Sequence, residues 1–210
     1  MMIKFSALAA VLLAMPVAGE AATVTVFSED FASEVAGKGL PVQQVNFTGL
    51  DQFDIIDGSV DLFTNGGFGL PCGSGGCLDL DGTSSSAARI ESSSDLTFAA
   101  GLAYEITLGI SGKNRNGSET LTFGVLGGAS SVVSMPSGDN SARIETLAFT
   151  GTGISAPIFI DHDGGDNFGI LLDSVTVAET TAPVPLPASL PLLLAALGGA
   201  ALLGRRRGRV

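Results

Sequence analysis

From Leu102 to Ser111 the chain alternates residue by residue. Leu102, Tyr104, Ile106, Leu108 and Ile110 fall on one face, and Ala103, Glu105, Thr107, Gly109 and Ser111 on the other. A period of two suits a strand, whose successive side chains point to opposite faces, and suits no helix. One face must meet a core and the other water. Leu121, Phe123 and Val125 repeat the pattern against Thr120, Thr122 and Gly124. Ser111-Gly112-Lys113-Asn114, Gly127-Gly128, Pro136 to Asn140 and Gly151-Thr152-Gly153 separate such runs with turn residues. Strands are expected near Thr23–Phe27, Val42–Phe47, Ser59–Phe63, Cys77–Asp81, Ala88–Glu91, Asp95–Phe98, Leu102–Ser111, Glu119–Leu126, Ser131–Met135, Ala142–Thr150, Ala156–Asp161 and Phe168–Val177. No stretch of the body keeps a helical period over three turns. Many short strands spaced about ten residues apart predict an all-β, two-sheet, jelly-roll-like sandwich.

The ends read differently. Lys4, the apolar run Phe5 to Val17 and the small residues around Gly19-Glu20-Ala21 predict a secretory signal peptide over residues 1–21. Residues 22–180 are then the sandwich domain, and 181–210 a linker and tail. Val184 to Gly204 holds no charged residue, and Arg205, Arg206, Arg207 and Arg209 follow at once. That length suits a transmembrane helix, and the Arg cluster would hold its end in the cytoplasm. The body carries 20 of the 21 acidic residues but only five of the ten basic ones, Lys38, Arg89, Lys113, Arg115 and Arg143, for a net charge of −15. Such a surface repels nucleic acid and anionic membrane and suits a solvated exported protein.

The tail opens Val184-Pro185-Leu186-Pro187-Ala188. With the apolar helix and Arg cluster it resembles the PEP-CTERM sorting signals of Gram-negative secreted proteins, in the VPLPA variant. The resemblance implies recognition by an exosortase, a membrane cysteine protease-transpeptidase, after an inner-membrane intermediate. It also implies delivery to the cell surface or the exopolysaccharide matrix. The body carries a second resemblance, in order: Gly58–Phe63, Cys77–Thr83, Ala100–Leu108 and Gly169–Val177. These runs look like those of galactose-binding-like jelly rolls, the architecture of many carbohydrate-binding modules. Fold alone does not settle function.

Four groups of residues bear on chemistry. Cys72 and Cys77 enclose Gly-Ser-Gly-Gly, and in an exported chain they point to a disulfide. A zinc site would need more ligands than the single histidine, His162, and the spacing is not C-x-x-C. Asp79 and Asp81 share a parity, opposite Leu78 and Leu80. Asp161, Asp163 and Asp166 lie in Asp-His-Asp-Gly-Gly-Asp-Asn, and Asp173 interrupts an apolar strand. Oxygen-rich, glycine-rich loops suit calcium, so Asp161, Asp163, Asp166 and Asp173 are its expected ligands; the alternative is a solvated turn. The jelly-roll resemblance implies Asp173 in that role. No G-x-S-x-G elbow accompanies a serine, the chain has no Trp, and its one Tyr, Tyr104, sits on a core face. A non-catalytic protein is expected, with a carboxylate-pair glycoside or polysaccharide hydrolase as the less favoured alternative. If the body binds a glycan, Phe53, Phe63 and Phe68 are the candidate exposed aromatics, the alternative being core packing for at least two of them, and the polar loop Lys113 to Asn116 is a candidate donor, the alternative being a solvated hairpin tip.

Pro183, Pro185 and Pro187 lack backbone N–H groups and favour an extended, polyproline-like segment. Such a segment is open to a protease. Replacing Pro185 and Pro187 by Ala should therefore trap an uncut, membrane-bound form. Mass spectrometry of the surface protein's C-terminal peptide checks this: intact Arg209-Val210 on the wild type would mean that the tail is a plain anchor.

Overall fold

The computed structural model describes residues 22–36, 43–64, 67, 70, 72, 75–112 and 117–181. The sorting motif Val184–Ala188, the Arg cluster, the leader, Phe68 and Lys113–Asn116 lie outside them.

The described residues form strands β1 (Thr23–Glu29), β2 (Gln43–Phe47), β3 (Phe53–Asp57), β4 (Val60–Thr64), β5 (Gly76–Asp79), β6 (Arg89–Ser92), β7 (Leu96–Phe98), β8 (Ala103–Ser111), β9 (Glu119–Val125), β10 (Ser130–Met135), β11 (Arg143–Thr150), β12 (Ile154–Ala156), β13 (Ile158–Asp163) and β14 (Leu171–Thr180). A short helix, α1 (Ala32–Ala36), follows β1. The larger sheet has the order β11-β8-β14-β5-β4-β2, with β1 also paired to β14; the second has the order β10-β9-β13-β6-β3. β12 and β7 make a two-stranded ribbon. All these pairings are antiparallel. The all-β sandwich expected from the alternation is the observed architecture.

The core lies between the sheets. Val60, Leu62, Leu78, Ile106, Leu108, Ile110, Leu172, Val175 and Val177 face it from the larger sheet; Ile90, Leu121, Phe123, Val125, Ile158 and Ile160 face it from the second. Along β14 the core positions run 170, 172, 175, 177, so the alternation slips by one. A β-bulge between Leu172 and Ser174 absorbs the extra residue, Asp173, and restores the phase. Without it Val175 and Val177 would point to the outside.

β4 and β5 do not alternate: Val60, Asp61, Leu62 and Phe63 are all buried, and so are Cys77, Leu78 and Asp79. The reason is a second apolar cluster, Phe63, Cys72, Cys77 and Leu171 with Leu70 against it, on the outer side of the larger sheet. The Cys72–Cys77 disulfide is formed there. Phe53 and Phe63, offered above as exposed sugar contacts, are each 2% exposed. Phe53 packs into the core on Phe27 and Phe31.

Three elements were not expected. α1 has five residues, too few to show a period; Asp30 Oδ1 accepts the Ala32 N–H at 3.1 Å and caps it. β3 is bulged between Ile55 and Asp57, which masks its alternation, and β12 is three residues long.

Around the β1–α1 corner two acids are buried. Glu29 accepts the Phe31 N–H at 2.6 Å, and Glu34 accepts the Asp51 N–H. Desolvation, with Glu34 nearby, raises the Glu29 pKa above its ordinary 4.5. A raised native pKa means the folded state holds more proton than the unfolded state above that value. Stability then falls as pH rises through the window. Glu29→Gln should remove that fall, gaining on the wild type as pH rises from about 4.5 towards neutrality. Urea melts across that range check it; a gap between the proteins that does not change with pH would contradict the assignment.

Candidate functional site

Asp61, Asp79 and Asp81 gather at one end of the sandwich, its acidic end. Asp61 and Asp79 are direct cross-strand partners, an arrangement that costs stability unless each charge is satisfied. Asp61 Oδ1 accepts the N–H groups of Asn46 (2.7 Å) and Thr83 (3.0 Å), and Oδ2 accepts the Thr83 hydroxyl at 2.6 Å. Asp79 Oδ1 accepts the Asp81 N–H at 3.1 Å. Asp81 is fully buried. Its Oδ2 accepts three consecutive backbone N–H groups, from Gly165 and Asp166 at 2.7 Å and from Asn167 at 3.1 Å.

That last contact bears on the calcium expectation. The loop Asp161–Asn167 is an amide nest wrapped on the protein's own carboxylate. Its N–H groups point inward, which suits an anion and opposes a cation. Asp166 Oδ1 accepts the Phe168 N–H at 3.0 Å, an Asx turn. Asp161 pairs outward with Arg89 at 3.1 Å, Asp163 lies 3.4 Å from the Thr120 hydroxyl, and Asp173 accepts from Ser111 at 3.3 Å across the sheet. Among the described residues no metal-ligand group unites Asp161, Asp163, Asp166 and Asp173. The one such group is Cys72, Cys77 and Asp173, and its two sulfurs form the disulfide. The four aspartates do not fit a single calcium site.

The loop's glycines follow from the same packing. A Cβ at Gly169 would collide with the Asp81 amide and the Asp79 carboxylate, and one at Gly164 with the His162 ring. His162 is buried, not solvated. Its Nε2 lies 3.3 Å from both the Ile170 N–H and Glu119 Oε2.

The opposite end holds a cleft. The turn after β9 is closed by Gly128 N–H to Val125 O at 2.9 Å and Val125 N–H to Ala129 O at 2.8 Å. The β7–β12 ribbon sets Ile154 opposite Phe98, and the end of β11 adds Phe149 and Thr150. Together with Gly127 and Thr152 these residues enclose about 300 Å³. Phe98 and Phe149 lie 5.4 Å apart by ring centroids, and both rest on Tyr104, at 5.2 and 5.7 Å. The Tyr104 hydroxyl accepts the Ala99 N–H at 3.0 Å and donates to Glu179 at 3.3 Å, so the aromatic floor is anchored to β14. Gly151 lets the β11–β12 turn close, since a Cβ there would collide with the backbone at Phe98 and Ala99. No residue lining the cleft is titratable. Sequence reading missed it because its wall comes from four separated turns and strands.

One outer-face aromatic is already covered. Phe159 on the outer face of the second sheet lies under the Arg89 guanidinium, 5.0 Å from the ring centre. Arg89 is itself held by Glu91 and Asp161.

No protein-family model matches this chain, and no curated protein does. It is similar to the solved BiXyn10A CBM1, with TM-score 0.38, 11% identity and coverage of 73% of this chain and 96% of that one. It is also similar to an exo-beta-1,3-galactanase from Phanerochaete chrysosporium, solved with beta-1,3-galactotriose (TM-score 0.37, 14% identity), covering 66% of this chain and 30% of that one. A third is TmCBM61 in complex with beta-1,4-galactotriose (TM-score 0.37, 10% identity), covering 66% and 99%. The match thus spans under a third of the galactanase chain. At such scores these likenesses carry no inference about a ligand.

Asp81→Ala should unfold the acidic end. Removing the carboxylate takes the shared acceptor from three part-buried amides, a loss of about 3 kcal/mol. Asp81→Asn keeps one acceptor oxygen and should cost less. Chemical denaturation and hydrogen exchange at residues 165–167 measure both; unchanged protection in the Ala variant would contradict the nest.

Proposed function

We propose that this is an exported, non-catalytic protein of the cell surface or exopolysaccharide matrix whose sandwich holds a neutral glycan in the end cleft. The observation that carries the reading is the cleft itself: about 300 Å³, lined by Phe149, Thr150, Thr152 and Ile154 with the buried Phe98 behind them, and free of ionisable groups. Ligand pockets combine an apolar lining with a few polar groups that set orientation, and this volume lies at the small end of their range. Sugar rings present apolar C–H faces to aromatics and hydroxyls to side chains such as Thr150 and Thr152.

The lining supports a non-catalytic reading. Glycoside hydrolysis needs two carboxyl groups across the scissile bond, and no carboxyl group lines the cleft. The buried carboxylates at the opposite end are engaged with backbone amides. Export, exosortase-type processing and surface delivery belong to the same proposal. They rest on the leader and on the tripartite tail with Val184-Pro185-Leu186-Pro187-Ala188. Calcium has no part in this reading.

A screen on immobilised polysaccharides tests it. Saturable binding, competed by a soluble sugar, is expected. Thr150→Val and Thr152→Val remove hydroxyls without changing shape, and each should weaken binding roughly fivefold, as a hydrogen bond of about 1 kcal/mol predicts. Binding indifferent to both variants would place the ligand elsewhere, and no saturable binding across the screen would leave only the structural role in the matrix.

A further inference from the structure

The edges of the two sheets are not alike. β2 and β3 are end strands, and both are bulged, β2 between Gln44 and Phe47 and β3 between Ile55 and Asp57. β1, on the flank of β14, is bulged between Thr25 and Phe27. A bulge breaks the row of N–H and C=O groups that an edge strand offers, and so keeps the edge from pairing with another chain. The other end strands, β10 and β11, have no such break. β10 follows β9 over six pairs and β11 follows β8 over eight, without a shift of register. Neither strand contains a proline or a lysine. Among the described residues they also carry the two most exposed large apolar side chains, Ile144 at 66% on β11 and Val132 at 65% on β10.

Arg143 reaches from β11 to the Ser134 carbonyl at 2.8 Å, so part of the β10 edge is engaged. Among the described residues β11 pairs with β8 alone. Its two charges, Arg143 and Glu145, neutralise each other at 2.7 Å. In a body of net charge −15, contact between two copies over an acidic face would bring carboxylates together. Contact along β11 avoids this. The strand is also complementary to itself. A two-fold axis through Thr146 would set Thr146 opposite Thr146, Ile144 opposite Ala148, Glu145 opposite Leu147 and Arg143 opposite Phe149 of the second copy. No like charges then face each other across the pair.

We propose that the chain self-associates through β11. A second copy adds its own β11 antiparallel, so that the seven-stranded sheet of each copy runs on into the other. Eight residues make an edge about 27 Å long, which suits a reversible dimer rather than an obligate one. Self-association here needs no ligand in the cleft.

Sedimentation velocity of the full chain in detergent, over a concentration series, should show a monomer–dimer equilibrium. Thr146→Lys sets like charges face to face on the axis, and Ile144→Lys charges the same edge. Each should weaken the dimer roughly tenfold or more, although each lowers the net negative charge of the body. Both positions are exposed, so the far-UV circular dichroism should not change. Ile56→Lys, on the bulged edge β3, should leave the dimer as it was. Thr146→Cys should give a disulfide-linked dimer on oxidation, since Cys72 and Cys77 are joined to each other. A monomer at every concentration would overturn the proposal. A dimer indifferent to both lysines would overturn it too and place the contact in the apolar tail or on another face. A dimer dissolved equally by Ile56→Lys would remove β11 as the edge. Weakening by both lysines with no cross-link at Thr146 would overturn the axis through Thr146 and keep β11 as the edge.

Discussion

Strand β14 is hydrogen-bonded along both edges, and the rest of the sandwich is arranged around that. β8 runs beside it over nine residue pairs, from Leu171↔Ser111 to Thr180↔Ala103. Its other edge is shared: β5 takes Leu171 and Leu172, and β1 takes residues 175 to 180. One strand therefore joins the first strand of the domain to the middle of the chain. The bulge at Asp173 makes this possible. It lets Leu172 and Val175, three residues apart, both enter the core, and it falls where the strand changes partner from β5 to β1.

The second constraint is charge. The body holds 20 acids and five bases, so ion pairing cannot serve most of its carboxylates. Arg89 and Arg143 each engage two acids. The buried acids instead accept backbone N–H groups: Glu29 from Phe31, Asp61 from Asn46 and Thr83, Asp79 from Asp81, Asp81 from three amides of one loop. A buried charge is costly unless its lone pairs are met, and charge-assisted bonds to amides meet several of them here. Asp61 and Asp81 thereby act as staples between segments far apart in sequence.

The two ends of the sandwich consequently differ. At the acidic end, turns are locked onto internal carboxylates, and the loop that looked like a cation cage has its amides turned inward. At the other end, turns are held by their own backbone bonds and by the Tyr104 hydroxyl, which leaves a neutral concavity lined by aromatic rings. The uncharged cleft stands out against the acidic composition of the body.

How much was legible depended on the range of the interaction. Leu102 to Ile110 and Leu121 to Val125 declared strands because alternation is a local property, set by the pleat and the solvent. The all-β sandwich followed from those runs and their turns, and the disulfide from two cysteines in a short loop. Spacing alone could not say that Asp81 would lie against Gly165–Asn167, more than eighty residues away, or that Phe98, Gly128, Phe149 and Ile154 would share a wall. A carboxylate and a row of amides carry no periodicity, and a cleft has no motif. The chain's pattern by itself determined which runs are strands with one inward face; only the packing of distant segments decided where that phase slips, which buried carboxylate each loop closes on and where a neutral hollow remains, because alternation is written locally and proximity is not.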